Sequence, residues 1–99
     1  MKDSDFTVKA EEIINKIFEI IEDNDKQGRF DIDLNDGILT MENENGTYVI
    51  NRQSAAKEIW LSSPVSGPHH FAFHKNRWIS SKNGDFFEIL TNELEIKIE

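Results

Sequence analysis

The chain contains no cysteine, which removes disulfides, thiolate zinc sites, thiolate-held iron–sulfur clusters and thiol nucleophiles together. Any metal must therefore be held by oxygen or by histidine nitrogen. Long apolar runs are missing too: those present, Ile13-Ile14 and Ile20-Ile21 among them, fall far short of the roughly 20 residues that span a bilayer. The amino terminus, Met1-Lys2-Asp3-Ser4-Asp5, is acidic and lacks the apolar stretch of a signal or transit peptide. The expectation is a cytoplasmic protein with no membrane partner. There is no Gly-rich phosphate loop, no HExxH and no GxSxG, and Asp31-x-Asp33-x-Asn35 lacks the later glycine and glutamate of an EF-hand. These absences leave an enzyme without support, so a non-catalytic protein is expected. Positive charge is short as well, giving a net charge of −8. An acidic surface repels phosphate backbones, which disfavours nucleic acid as a partner and favours cations or proteins with basic patches.

What remains suits one domain over residues 1–99. A chain of 99 residues buries one core and not two. Its 37% hydrophobic content, with only two prolines, separates it from disordered sequences. The charge is uneven: residues 1–36 hold eleven acids and five bases, residues 37–99 eight and six. Apolar residues at 6, 10, 13, 14, 17, 20 and 21 follow the three-and-four spacing of one helix face. Asp3 or Ser4 is the expected N-cap, and Asn24-Asp25-Lys26-Gln27-Gly28 the expected end. Strand-like runs follow at Phe30–Leu34, Ile38–Glu42, Thr47–Arg52, Glu58–Ser62, His70–His74 and Arg77–Ser80. Asn35-Asp36-Gly37 and Glu44-Asn45-Gly46 suit hairpin turns, because glycine takes positive φ at little cost. Asn83-Gly84-Asp85 reads as the close of the strand region. Phe86, Phe87, Ile89, Leu90, Leu94 and Ile96 then read as a second helix running to the carboxyl end. The predicted fold class is α+β: a two-layer α-β sandwich with N- and C-terminal helices on one face of an antiparallel sheet.

Three groups of residues are candidates for function. Glu19, Glu22 and Asp23 near the end of the first helix, Asp25 in the turn, and Asp31 and Asp33 on the first strand form an acidic group. With Ile32 and Leu34 inward, Asp31 and Asp33 point outward together. Exposed oxygens of this kind attract hard cations such as divalent iron, calcium, magnesium or manganese, in open and poorly selective geometry. The competing reading is a solvated charge run that keeps the protein soluble. In Glu58-Ile59-Trp60-Leu61, alternation puts Trp60 on the face opposite Ile59 and Leu61. If that pair is core, Trp60 is exposed beside Asn51, Arg52, Gln53 and Lys57 and reads as an aromatic anchor for a partner protein. The alternative is an indole packed against neighbouring strands. His69, His70 and His74 are the third group. Two histidines of shared parity, His70 and His74, without a third ligand nearby argue for surface residues rather than a metal site.

The segment Gly46-Thr47-Tyr48-Val49-Ile50-Asn51-Arg52-Gln53, followed by Lys57-Glu58-Ile59-Trp60-Leu61-Ser62-Ser63-Pro64 and Ser66-Gly67-Pro68, resembles the signature region of the frataxin family. The acidic first helix, the stretch Leu34-Asn35-Asp36-Gly37-Ile38-Leu39-Thr40 and the aromatic-bearing last helix fall in the family's order, so the resemblance covers essentially the whole chain. Lacking a presequence it looks like a bacterial member, while its Ser62–Pro68 loop is closer to mitochondrial relatives. The resemblance implies an α-β sandwich whose acidic ridge binds iron, Fe2+ or Fe3+, weakly and reversibly through carboxylates. It also implies a part in iron–sulfur cluster assembly through contacts with a cysteine desulfurase and the iron–sulfur scaffold protein. The protein is then expected to be a monomer, with iron as the trigger for any oligomer.

By similarity the ridge comprises Glu19, Glu22, Asp23, Asp25 and Asp31, with Asp33 beside them, and the partner surface comprises Asn51, Gln53, Lys57 and Trp60. His70 stands where mitochondrial relatives carry a partner-contacting arginine. Phe18, Gln27 and Arg29 occupy positions often acidic in bacterial members, and Thr7 one sometimes held by histidine, which implies fewer or weaker metal ions. The leading expectation is an iron-responsive regulator or metallochaperone. Its alternatives are a ferroxidase or iron-storage protein, and a metal-independent interaction module. An exposed ridge without histidine lacks the fixed, buried ligand set that ferroxidase chemistry usually needs.

Overall fold

The structure, a computed structural model, describes residues 2–80 and 84–98. The periodicities of the sequence become α1 (Asp3–Asn24), β1 (Asp31–Asn35), β2 (Ile38–Asn43), β3 (Gly46–Gln53), β4 (Glu58–Ser63), β5 (Gly67–His74), β6 (Arg77–Ser80), β7 (Gly84–Asp85) and α2 (Phe86–Leu94). The strands form one antiparallel meander in chain order from β1 to β7. Both helices pack on one face of it, so the α+β two-layer architecture expected from the sequence is the one observed.

The period-2 alternation sets the core. Leu34, Leu39, Ile50 and Leu61 lie opposite one another across β1 to β4, and Ile32, Met41 and Tyr48 make a second inward row. Against these rows α1 buries Phe6, Ala10, Ile13, Ile14, Ile17 and Ile21, and α2 buries Phe86, Leu90 and Leu94.

Several strand limits shift from the sequence reading by one residue, β5 begins at Gly67 rather than His70, and three further boundaries differ. Lys2, not Asp3 or Ser4, holds the N-cap position and makes no side-chain cap. The helical ladder starts one or two residues earlier, with the Phe6 N–H donating to the Lys2 carbonyl at 3.0 Å. Gly84-Asp85, read as the close of the strand region, forms a last short strand of its own, paired with Ile79 and Ser80, and a run of two residues shows no alternation for a pattern to catch. Asn83, read with them, lies outside the described residues. Finally, α2 stops before Ile96, because Glu95 takes the left-handed conformation at φ 58°. The tail folds back instead, burying Ile96 and Ile98, with the Ile98 N–H donating to Thr91 Oγ1 at 3.0 Å.

One end of the sheet is locked by contacts between loops. Gly46 has φ 127°, and a Cβ added there would lie 2.8 Å from Pro64 Cβ, so the β2–β3 turn lies flush against the β4–β5 loop. That loop is tied to α2 by Ser63 Oγ and Ser66 Oγ, which donate to the two carboxylate oxygens of Glu93. Ser63 Oγ also accepts the Val65 and Ser66 N–H groups, each at 3.0 Å.

Candidate functional site

The sheet face without helices carries the aromatic candidate. With Ile50, Ile59, Leu61 and Phe71 turned into the core, the strand register sets Asn51, Trp60 and His70 side by side on the opposite face. The rings of Trp60 and His70 stack, with centroids 4.1 Å apart and planes 8° from parallel. The indole Nε1–H donates to Glu58 Oε1 at 2.9 Å, and the same oxygen is 4.0 Å from His70 Nδ1. Glu58, which the sequence reading did not single out, thus holds the indole directly and lies near the imidazole. Trp60 is half-buried, so each sequence reading holds in part: one neighbour packs against the indole, yet it stays accessible. A hollow of about 160 Å³ lined by Val49, Asn51, Trp60, Ser62, Pro68 and His70 lies beside it. Gln53 is one register row away, opposite Glu58.

The basic residues expected around Trp60 are directed elsewhere. Arg52 Nη1 sits 2.7 Å from Glu11 Oε1 on α1, and Lys57 Nζ lies 3.5 Å from Asp3 Oδ1 at the start of α1. Both cations therefore reach toward the helix layer, leaving amides, an indole and an imidazole on the open face. His74 is exposed on that face, whereas His69 points into the core side and is buried. Its Nε2 is 2.7 Å from Ser66 Oγ. Because Ser66 gives its proton to Glu93, the hydrogen-bond network assigns Nε2 as the donor and leaves Nδ1 buried without a partner.

The acidic candidates divide by position. Glu19, Glu22 and Asp23 are exposed on α1, at three- and four-residue spacings that make them neighbours on the helix surface. Asp31 and Asp33 are exposed on the outer face of the edge strand β1, opposite Glu42 and Thr40. Asp25 behaves differently: Oδ1 accepts the Arg29 N–H at 2.7 Å and Oδ2 the Phe30 N–H at 2.9 Å. Both of its oxygens are engaged in closing the α1–β1 connection. Arg29 adds a cation at this end of the ridge, 3.6 Å from Glu44.

Among the described residues, no group of three or more His, Asp or Glu side chains converges as a metal cage would. Hard oxygen donors fit a cation such as iron in kind, but they form an open array rather than a fixed ligand set.

Below the sheet, the Tyr48 hydroxyl is buried and makes no close hydrogen bond, although Glu93, Asn45 and Ser63 lie near enough to influence its ionisation. Burial, and then the through-space negative charge of Glu93, push its pKa up. The polar knot of Ser63, Ser66, His69 and Glu93 was invisible in the sequence, since Glu93 lies about 30 residues beyond its serine partners.

The comparisons with known proteins fit this geometry. A family model described as a frataxin-like domain matches residues 1–99. The chain is 36% identical over 88 residues to the iron–sulfur cluster assembly protein CyaY of Thioalkalivibrio sulfidiphilus, covering 86% of this chain and 81% of that protein. It is 46% identical over 67 residues to the mitochondrial frataxin homolog of Saccharomyces cerevisiae, covering 66% of this chain but only 38% of that longer protein. The solved frataxin of Psychromonas ingrahamii superposes with a TM-score of 0.80 at 30% identity, covering 100% of this chain and 97% of that one. Trimeric yeast frataxin complexed with ferrous iron superposes with a TM-score of 0.71 at 35% identity, covering 99% and 87%.

Proposed function

This chain belongs to the frataxin family, and on that premise we propose that it is an iron-responsive accessory protein of iron–sulfur cluster assembly. It docks on the cysteine desulfurase and scaffold through the Trp60 face and the acidic surface of α1 and β1, and adjusts the rate or iron supply of that complex. It performs no bond chemistry itself and acts in the cytoplasm. The observation that carries the reading is the Trp60–His70 stack, a partly exposed aromatic anchor held by Glu58 on a helix-free sheet face. Aromatic groups that are pre-oriented in this way lose little freedom on docking, which suits them to anchor an interface.

Iron enters as weakly held cargo. The exposed carboxylates of Glu19, Glu22, Asp23, Asp31 and Asp33 offer hard donors without a cage, which supports reversible capture over storage or ferroxidase chemistry. The same openness favours a second reading, an interaction module whose acids only steer a basic partner.

An anaerobic titration with ferrous iron, followed by amide NMR with and without desulfurase, separates the two. Selective broadening at Glu19, Glu22, Asp23 and Asp31, together with desulfurase shifts around Trp60, is the expected result. Desulfurase binding with no response to iron would remove the metal from the proposal and leave the module. A chain with Glu19, Glu22 and Asp23 all reversed to lysine should lose both responses, and loss of only one identifies what the ridge does.

A further inference from the structure

On the opposite side of the molecule from the Trp60 face, α1, the β5–β6 turn and the start of α2 enclose a cleft of about 470 Å³. That volume is within the range of about 300–1,000 Å³ typical of small-molecule sites. Its floor is aromatic: Phe73, Trp78, Phe86 and Phe87, with Ile13 beside them. The rings brace one another, Phe73 and Trp78 at 5.1 Å, Phe86 and Phe87 at 6.4 Å, while the fully buried Phe6 stands edge-on behind Trp78 at 6.1 Å. Phe73 and Phe87 remain partly exposed. The floor is thus preformed and accessible, and little of the cost of ordering falls on a ligand.

The rim reverses the sign of the molecule. Lys9, Lys16 and Arg77 line the cleft with Glu12 and Asp85, in a protein of net charge −8. Arg77 and Asp85 neutralise each other, with Nε and Oδ2 2.9 Å apart, and Asp85 also caps α2. Lys9 and Lys16 make no ion pair among the described residues. Their ammonium groups instead lie 5.9 Å from the centre of Phe73 and 5.7 Å from that of Phe87. Two helical turns separate the lysines, about 10 Å along the axis. One cation therefore stands over each end of an aromatic floor.

We propose that this cleft binds a small organic anion, with a flat apolar body that packs on Phe73 and Phe87 beside the buried Trp78 and a carboxylate or sulfonate that pairs with Lys9 or Lys16. The aromatic faces supply the contact area. The exposed ammonium groups, which make no ion pair among the described residues, supply the sign selectivity at the rim. No residue of the acidic ridge or of the Trp60 face takes part, so the inference stands apart from the function proposed above.

The test uses 8-anilinonaphthalene-1-sulfonate as probe, with fluorescence for affinity and amide NMR for location. Saturable one-to-one binding is expected, with shifts confined to Phe73, Trp78, Phe87 and the Lys9–Lys16 turns of α1. In the Lys9→Glu, Lys16→Glu double variant the affinity should fall at least tenfold while the spectrum stays dispersed, and the sulfonate-free analogue 1-anilinonaphthalene should bind the parent at least tenfold more weakly than the sulfonate. Unsaturable binding, shifts centred elsewhere, or an affinity indifferent to the lysines or the sulfonate would overturn the proposal. A failed iron titration with the cleft result intact would remove only the iron reading.

Discussion

Trp60 and His70 face each other across the β4–β5 pair as parallel rings 4.1 Å apart. Neither ring is in the core, so the stack stabilises a surface rather than the fold. Trp60→Ala should therefore weaken desulfurase binding by about 2 kcal/mol, roughly thirtyfold, as loss of a hot-spot aromatic does. His70→Ala should cost less, about 0.5–1.5 kcal/mol, through loss of the stacking partner. Calorimetric titration measures both, and urea unfolding should show near-parental stability. Unchanged affinity in Trp60→Ala removes this face as the docking surface.

Asp25 should prove structural where Glu19 does not. Its two charged acceptors hold the backbone N–H groups of Arg29 and Phe30, so Asp25→Ala should lower stability by about 2 kcal/mol. Glu19→Ala, at an exposed helix position, should stay within about 0.5 kcal/mol of the parent. Equal urea midpoints for the two variants would show that the Asp25 bonds contribute nothing in solution.

Tyr48, the one tyrosine in the chain, gives the protein an alkaline limit. Burial, reinforced by Glu93, raises its folded pKa, so above about pH 10, where the unfolded chain begins to ionise, the unfolded state releases the proton more readily. The stability linked to this group is complete below that pH and falls as pH rises through the folded value. Tyr48→Phe should abolish this part of the alkaline loss. At pH 7 it should stay close to the parent in stability, since the hydroxyl it removes makes no close hydrogen bond. Tyrosinate absorbance gives the parent's titration directly, and urea melts at about pH 7 and about pH 10.5 compare the chains.

Gly46→Ala should destabilise by about 1–3 kcal/mol, because the new methyl meets Pro64 and the backbone sits at φ 127°. Gly28, at φ 66° with open space around its Cβ position, shows the cost of an ordinary left-handed position without crowding, and Gly28→Ala should cost about 1 kcal/mol. Thermal unfolding of the two variants should show the larger loss at Gly46, where strain and crowding combine. Equal losses would show that Pro64 yields.

The alternation of Ile32 to Leu34, Tyr48 to Ile50 and Ile59 to Leu61 made the inward and outward faces legible, because a pleat repeats every two residues. Trp60 and Asn51 could thus be assigned to the open face from sequence. What surrounds them could not: Arg52 turns to Glu11, 41 residues away, and no local spacing encodes that choice. The acidic positions were equally plain in the sequence. The special standing of Asp25 was not, since it depends on where a turn aims two backbone N–H groups. At the carboxyl end, the spacing of Ile96 suits both a helix and a tail folding back on one, and only the left-handed Glu95 decides between them.

The open meander leaves two borders, and they differ in kind. On one side β7 offers only two residues for pairing. On the other, β1 is a full five-residue strand, a template on which another chain could extend the sheet. Asp31 and Asp33 stand along that border, so a second molecule adding there in the same manner would bring like charges together, which disfavours the addition. The carboxylates on β1 therefore act as a guard against aggregation as well as candidate ligands, and whatever neutralises them also lowers the barrier to self-association.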